Sequence, residues 1–132
     1  MFSKDMLIGI LLSSAKMDFL IERDKKNYMG YRVRLKLILR AEEPFLLAVQ
    51  RSLLQHVINS KYSPKESMVR QKPILKIGGI KNLYKISELV PESLPDSKGE
   101  WEVFREVIQL IDEGRHKTAH GLERILELKG LI

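Results

Sequence analysis

His116 and His120 stand four positions apart, a spacing that lets one helix face offer two imidazoles to zinc. A third ligand is lacking, because the other histidine, His56, lies far away and the chain has no cysteine. No metal site is expected from them, and His116 is read as loop ahead of a helix capped by Thr118. Gly78-Gly79 could open a phosphate loop, but the Lys-Ser or Lys-Thr that completes one does not follow. No serine, histidine and aspartate arrangement of a hydrolase can be recognised, so neither a cofactor nor a nucleophilic centre is expected.

What remains is charge at strand spacing. In the segment YRVRLKLILR, Arg32, Arg34, Lys36 and Arg40 alternate with Tyr31, Val33, Leu35, Leu37 and Leu39, with Ile38 the exception. A period of two puts the basic set on one face of a strand and the apolar set on the other. The wider balance agrees. Residues 1–70 hold 13 Lys/Arg against 7 Asp/Glu, whereas residues 71–132 hold 10 of each, so the net charge of +6 belongs to the first half. Such asymmetry favours a polyanionic partner.

The elements that would hold this row follow from the pattern. Ser3 caps a helix over Lys4–Ser14, and Lys16–Arg23 alternates with Met17, Phe19 and Ile21 inward and Asp18 and Glu22 outward. With the polar stretch Asp24–Gly30 it forms a hairpin with Tyr31–Arg40. A helix from about Glu42 to Asn59 carries the stripe Phe45, Leu46, Val49, Leu53, Leu54 and Val57. A second hairpin is expected at Glu66–Gln71 and Pro73–Ile77, with a turn near Lys72, adding Arg70 and Lys76 to the basic face. Helices at Ile80–Leu89, Glu100–Glu113 and Thr118–Leu128 complete the chain. The expectation is one α+β domain over residues 1–132, a four-stranded antiparallel sheet with helices on its apolar face. The apolar run Met6–Leu12 is too short to span a membrane. Lys4 and Asp5 cancel, so no secretory leader is expected and the protein is placed in the cytoplasm.

In this order the segments resemble the LAGLIDADG homing-endonuclease family. LIGILLSSAKM, Leu7–Met17, aligns without gaps to the family's motif, with Leu7, Gly9, Ile10 and Leu11 matching. GYRVRLKLILR resembles the second strand. The closing segment resembles the terminal helices, through Ser97-Lys98, the helix around Trp101–Ile111 and the stretch His116–Leu122. The resemblance implies αββαββα topology and a homodimer, with the motif helices crossing at the two-fold axis and paired sheets forming a saddle over double-stranded DNA. Gly9 and Ser13, one helical turn apart, would open the crossing face, with Leu7 and Ile10 supplying apolar area. Lys98 matches a position where a basic residue often lies near the scissile phosphate, although Gly99 follows where a second lysine is common.

Active members end the motif helix with a carboxylate that binds a divalent metal. Here Leu12 and Ser14 occupy the acidic positions, and Ala15 replaces the closing glycine. A neutral hydroxyl does not offset the charge of a hard cation that needs oxygen ligands. The leading expectation is therefore a non-cutting, homodimeric DNA-binding protein with a regulatory role. The alternatives are an active metal-dependent endonuclease using Asp18, an RNA-binding splicing helper of maturase type, and a protein-interaction module.

Overall fold

The computed structural model describes residues 1–27, 29–92 and 99–132. Its elements are α1 (Lys4–Ser14), β1 (Lys16–Arg23), β2 (Tyr31–Arg40), α2 (Glu43–Leu54), β3 (Lys61–Ser63), β4 (Ile74–Gly78), α3 (Ile80–Leu89), α4 (Glu100–Asp112), a 3-10 turn (Arg115–Lys117) and α5 (Ala119–Lys129). The four strands form one antiparallel sheet in the order β1-β2-β4-β3. No helix among the described residues is long and apolar enough to cross a membrane.

The core forms on one side of the sheet. Phe19, Leu35, Leu37, Leu39, Leu75 and Ile77 point into it and meet Leu7 and Leu11 of α1, Leu46 and Leu53 of α2, Ile86 of α3 and Phe104 of α4. The register explains this set, since Phe19 faces Leu35, Leu37 faces Ile77 and Leu39 faces Leu75 across the strands. Burying each such side chain contributes about 1.5–3 kcal/mol. Tyr31 lies on the same side by alternation but at the strand's end, where it stays 39% exposed.

Two side-chain caps set helix starts. The Ser3 side chain accepts a hydrogen bond from the Met6 N–H at the start of α1. Thr118 does the same for Gly121 at the start of α5. Gly121 also explains why the stretch His116–Leu122 needs a glycine there. A Cβ on it would stand 1.8 Å from the Arg115 carbonyl oxygen, so the 3-10 turn can close only over a bare backbone.

Two sequence expectations are corrected. The second helix stops at Leu54 rather than near Asn59. Val57 adopts φ 59°, the Val57 N–H bonds to the Leu54 carbonyl and the Ile58 N–H to the Leu53 carbonyl. This pair of bonds is a Schellman end with a β-branched residue where glycine is usual. Leu54 and Val57 are consequently exposed, and Ile58 takes the buried place. The second hairpin is also not where alternation placed it. Its first strand is Lys61–Ser63, and Glu66–Gln71 belongs to the connection between β3 and β4.

Candidate nucleic-acid interface

The side of the sheet opposite the core is built by register from the residues that the core leaves out. Arg32 faces Glu22, Arg34 faces Leu20 and Lys36 faces Asp18 on β1. On the other flank Lys36 faces Gly78, Ile38 faces Lys76 and Arg40 faces Ile74. β3 extends the row, with Lys61 opposite Lys76. Lys16, Ile38, Lys76 and Lys61 thus form one cross-sheet line through all four strands. The expected outward set Arg32, Arg34, Lys36, Arg40 and Lys76 does share this face.

Lys61 was missed because its strand was misplaced by several residues. It matters, because like charges directly opposite each other on a sheet are destabilising unless an anion stands between them. Lys36, Lys61 and Lys76 also line one hollow of about 330 Å³, with Asn59, Ser60, Gly78 and Asn82. Its lining contains no acidic residue. The buried Ser60 hydroxyl in the same wall has no hydrogen-bond partner among the described residues. Nearer the first hairpin, β4 ends at Gly78 while β2 runs on, and Arg32, Arg34 and Lys36 border a groove of about 420 Å³ with Ile80, Leu83 and Ile111.

The cations of this face are not equivalent. Arg34 lies 3.4 Å from Glu22, both half-buried but open to solvent, a pair worth little in water. Arg40 is committed: its Nε donates to Glu66 at 2.8 Å and its second nitrogen to the other carboxylate oxygen. Arg70 approaches the same carboxylate at 3.9 Å. The Arg40 hydrogen bond holds the Glu66 carboxyl below the usual carboxylate range, helped by the charges of Arg40, Arg70 and Lys76. Arg40 therefore ties the β3–β4 connection to the sheet, and Arg70 meets the same carboxylate from within that connection. Among the described residues, Arg32, Lys36, Lys61 and Lys76 make no ion pair.

Asp18, the candidate replacement acid, sits opposite Lys36, and its charge adds a lesser part to the rise in the Arg40 pKa that the Glu66 hydrogen bond chiefly causes. Its surroundings are those of a neutralising partner in a basic sheet. At the end of α1 the donors are two serine hydroxyls, Ser13 and Ser14, which share a hydrogen bond at 3.3 Å, and Ser13 also reaches the Ile10 carbonyl. Leu12 is half-buried. This donor set contains no charged oxygen and does not fit the divalent cation that the resemblance implies. Among the described residues no three His, Cys, Asp or Glu side chains come together, and His116 lies on the 3-10 turn and His120 on α5. Burial and the neighbouring Lys117 lower the His116 pKa, which favours neutral imidazole.

The outward side of α1 is a second surface. Met6 is 56% exposed, Gly9 and Ser13 are exposed and Ile10 is half-buried. A Cβ on Gly9 would meet nothing within 4 Å. Leu7, which the sequence reading assigned to this face, is fully buried among the chain's own core residues instead. The helix is apolar nearly all round, with no charge after Asp5, the composition of a helix covered on both sides. Lys98 lies outside the described residues.

No protein-family model matches the chain, and no curated protein matches its sequence. Solved structures do match. The homing endonuclease I-TnaI superposes with a TM-score of 0.80 at 18% identity, over 96% of this chain and 85% of its own. The archaeal intron-encoded homing endonuclease I-Vdi141I, complexed with DNA, gives 0.81 at 16% identity over 95% of this chain and 78% of its own. The LAGLIDADG homing endonuclease I-LtrWI, bound to target DNA, gives 0.83 at 18% identity over 99% of this chain, which spans 44% of that protein. The chain has the LAGLIDADG homing-endonuclease fold.

Proposed function

We propose that this chain, on the fold of the LAGLIDADG homing endonucleases, is a non-cutting, homodimeric, double-stranded DNA-binding protein with a regulatory role in the cytoplasm. The observation that carries the binding is the acid-free hollow of Lys36, Lys61 and Lys76, in which two lysines face each other across β3 and β4. A duplex phosphate relieves that repulsion, and Arg32 and Arg34 lie farther along the same strand, where paired guanidinium donors suit guanine edges. I-Vdi141I and I-LtrWI, which share the fold, are complexed with DNA.

Dimerisation rests on α1. Met6, Gly9, Ile10 and Ser13 form an uncharged outward strip that a second copy can cover, with Gly9 allowing close approach. Two copies would also cover the extent of one I-LtrWI chain, of which this chain spans 44%. The absence of cutting rests on Leu12 and Ser14, where the resemblance calls for acids, and on Asp18 being placed among Lys36 and Arg40.

Purified protein incubated with supercoiled and linear duplex, with Mg²⁺ or Mn²⁺, should leave both intact while retarding them in a gel, and its solution mass should be twice 15.3 kDa. Metal-dependent cleavage abolished by Asp18→Asn would overturn the non-cutting reading in favour of an active endonuclease. Preference for structured RNA over duplex DNA would move the reading to a splicing helper.

A further inference from the structure

The connection between β3 and β4, residues 64–73, carries the two most exposed large apolar side chains among the described residues, Met68 at 86% and Val69 at 91%. Scattered surface hydrophobics are ordinary, but these two are adjacent, at a loop tip, and flanked by Lys65, Arg70 and Lys72. The tip is also shaped. The Glu66 and Ser67 N–H groups both bond to the Arg70 carbonyl, at 3.1 and 3.0 Å, and the Arg70 N–H bonds back to the Ser67 hydroxyl at 2.9 Å. The Gln71 side chain holds the Met68 carbonyl at 2.8 Å.

The Arg40–Glu66 pair places this loop on the basic side of the sheet, and the burial of Ile74 agrees with that placement. Glu66 is paired with Arg40, whose register position is on the side away from the core. Ile74 occupies that side too, opposite Arg40 and Ser63, yet it is fully buried and stands apart from the main core cluster. Something on the outer side covers it, and the loop anchored by Arg40 and Glu66 is the element tied down there.

We propose that Met68 and Val69 are specificity-determining contacts that read the C5-methyl groups of thymines in the major groove. The assignment rests on the duplex-binding reading and adds to it a base preference and the residues that impose it. The chemistry is selective. A thymine methyl is the one apolar feature on the base edges of the major groove, and apolar side chains recognise it by contact. The flanking cations suit the phosphates on either side of such a contact. Preformed loop hydrogen bonds lessen the ordering cost of binding.

The test uses duplexes enriched by the wild-type protein from random sequence. The pool is amplified once with thymidine triphosphate and once with deoxyuridine triphosphate, which removes the methyl groups and keeps the pairing. Wild-type protein should bind the uracil pool about fourfold more weakly for each methyl it buries. The variant Met68→Ser, Val69→Ser should bind both pools alike and keep the wild-type Tm, since both side chains are exposed. A wild-type protein that binds duplex tightly but does not distinguish the pools overturns this assignment and leaves the duplex-binding reading standing. Equal discrimination by wild type and variant overturns it as well, by assigning methyl reading to other residues. Binding to anionic phospholipid vesicles that depends on Met68 and Val69, with duplex affinity indifferent to them, overturns it in favour of a membrane-surface loop. No duplex binding at all removes the reading on which it rests.

Discussion

The two hairpins of the sheet are built from the same kinds of residue and behave differently. The first pairs β1 and β2 over eight positions, Lys16–Arg23 against Ile38–Tyr31. The second pairs β3 and β4 over three, Lys61–Ser63 against Lys76–Ile74. Eight positions with one face buried pin the register, because a one-residue slip of β1 along β2 would turn Met17, Phe19 and Ile21 outward together. Three positions cannot do this. The second hairpin is held instead by β4 docking on β2, by the Schellman end of α2 before it and by the Arg40–Glu66 tie after it. The long hairpin is a scaffold fixed by its core face, and the short one is a mount for a loop.

That contrast can be broken most forcefully at the shared seam. Leu37 is 2% exposed, lies between Met17 and Ile77 and contributes to the core beneath both hairpins. Leu37→Ala should cost about 2–5 kcal/mol in urea unfolding. A cost below 1 kcal/mol would mean the scaffold is not anchored there.

A smaller effect of opposite sign is expected at Val57. Its φ of 59° strains a β-branched side chain that is 65% exposed and so has little packing to lose. The left-handed conformation costs an L-residue about 1–2 kcal/mol, part of which is offset by the freer unfolded chain of a glycine. Val57→Gly should therefore raise stability by roughly 0.5–1 kcal/mol. Loss of stability would show that the chain reaches β3 by a different turn.

The smallest global effect belongs to Glu66→Gln. Global unfolding should barely move, while amide exchange across residues 66–72 should quicken. Acid should do the same to the wild-type protein. Arg40 holds the folded Glu66 pKa down, so the tie is complete above the ordinary carboxylate pKa and is lost as the pH falls through the lowered folded value. Unchanged exchange in both experiments would show that Arg40 does not hold the loop.

The legibility of the sequence follows the same division. The first hairpin could be read to its end residues because Met17, Phe19 and Ile21, and Val33, Leu35, Leu37 and Leu39, recur at every second position with mostly polar residues between, Leu20 and Ile38 excepted. The second could not, because Ile74 and Leu75 are both buried, on opposite sides of the sheet, and that erases the alternation. Lys61–Ser63 is too short to show any period. The stop of α2 was hidden because Val57 carries no sign of a left-handed cap, and its apolar spacing imitates another helical turn. On the basic face, the strand period revealed Arg32, Arg34 and Lys36. It could not reveal that Arg40 is engaged by Glu66, 26 residues on, or that Lys61 joins Lys36 and Lys76. Leu7 shows the converse limit. The resemblance implies an interface along α1, but 100° of helical rotation from Met6 to Leu7 separates the outward strip from the core.

The most direct test of the account is the salt dependence of duplex affinity, measured for the wild type and for the combined variant Arg32→Ala, Arg34→Ala, Lys36→Ala. Each phosphate neutralised contributes about −0.9 to the log–log slope. The wild type should bind steeply more weakly as salt rises, and the variant should bind more weakly at moderate salt with a shallower slope, by about 0.9 for each phosphate contact removed. Its folding should be nearly intact, since none of the three side chains belongs to the core. Identical affinities and slopes for the two proteins would contradict the assignment of this sheet face as the DNA-binding surface.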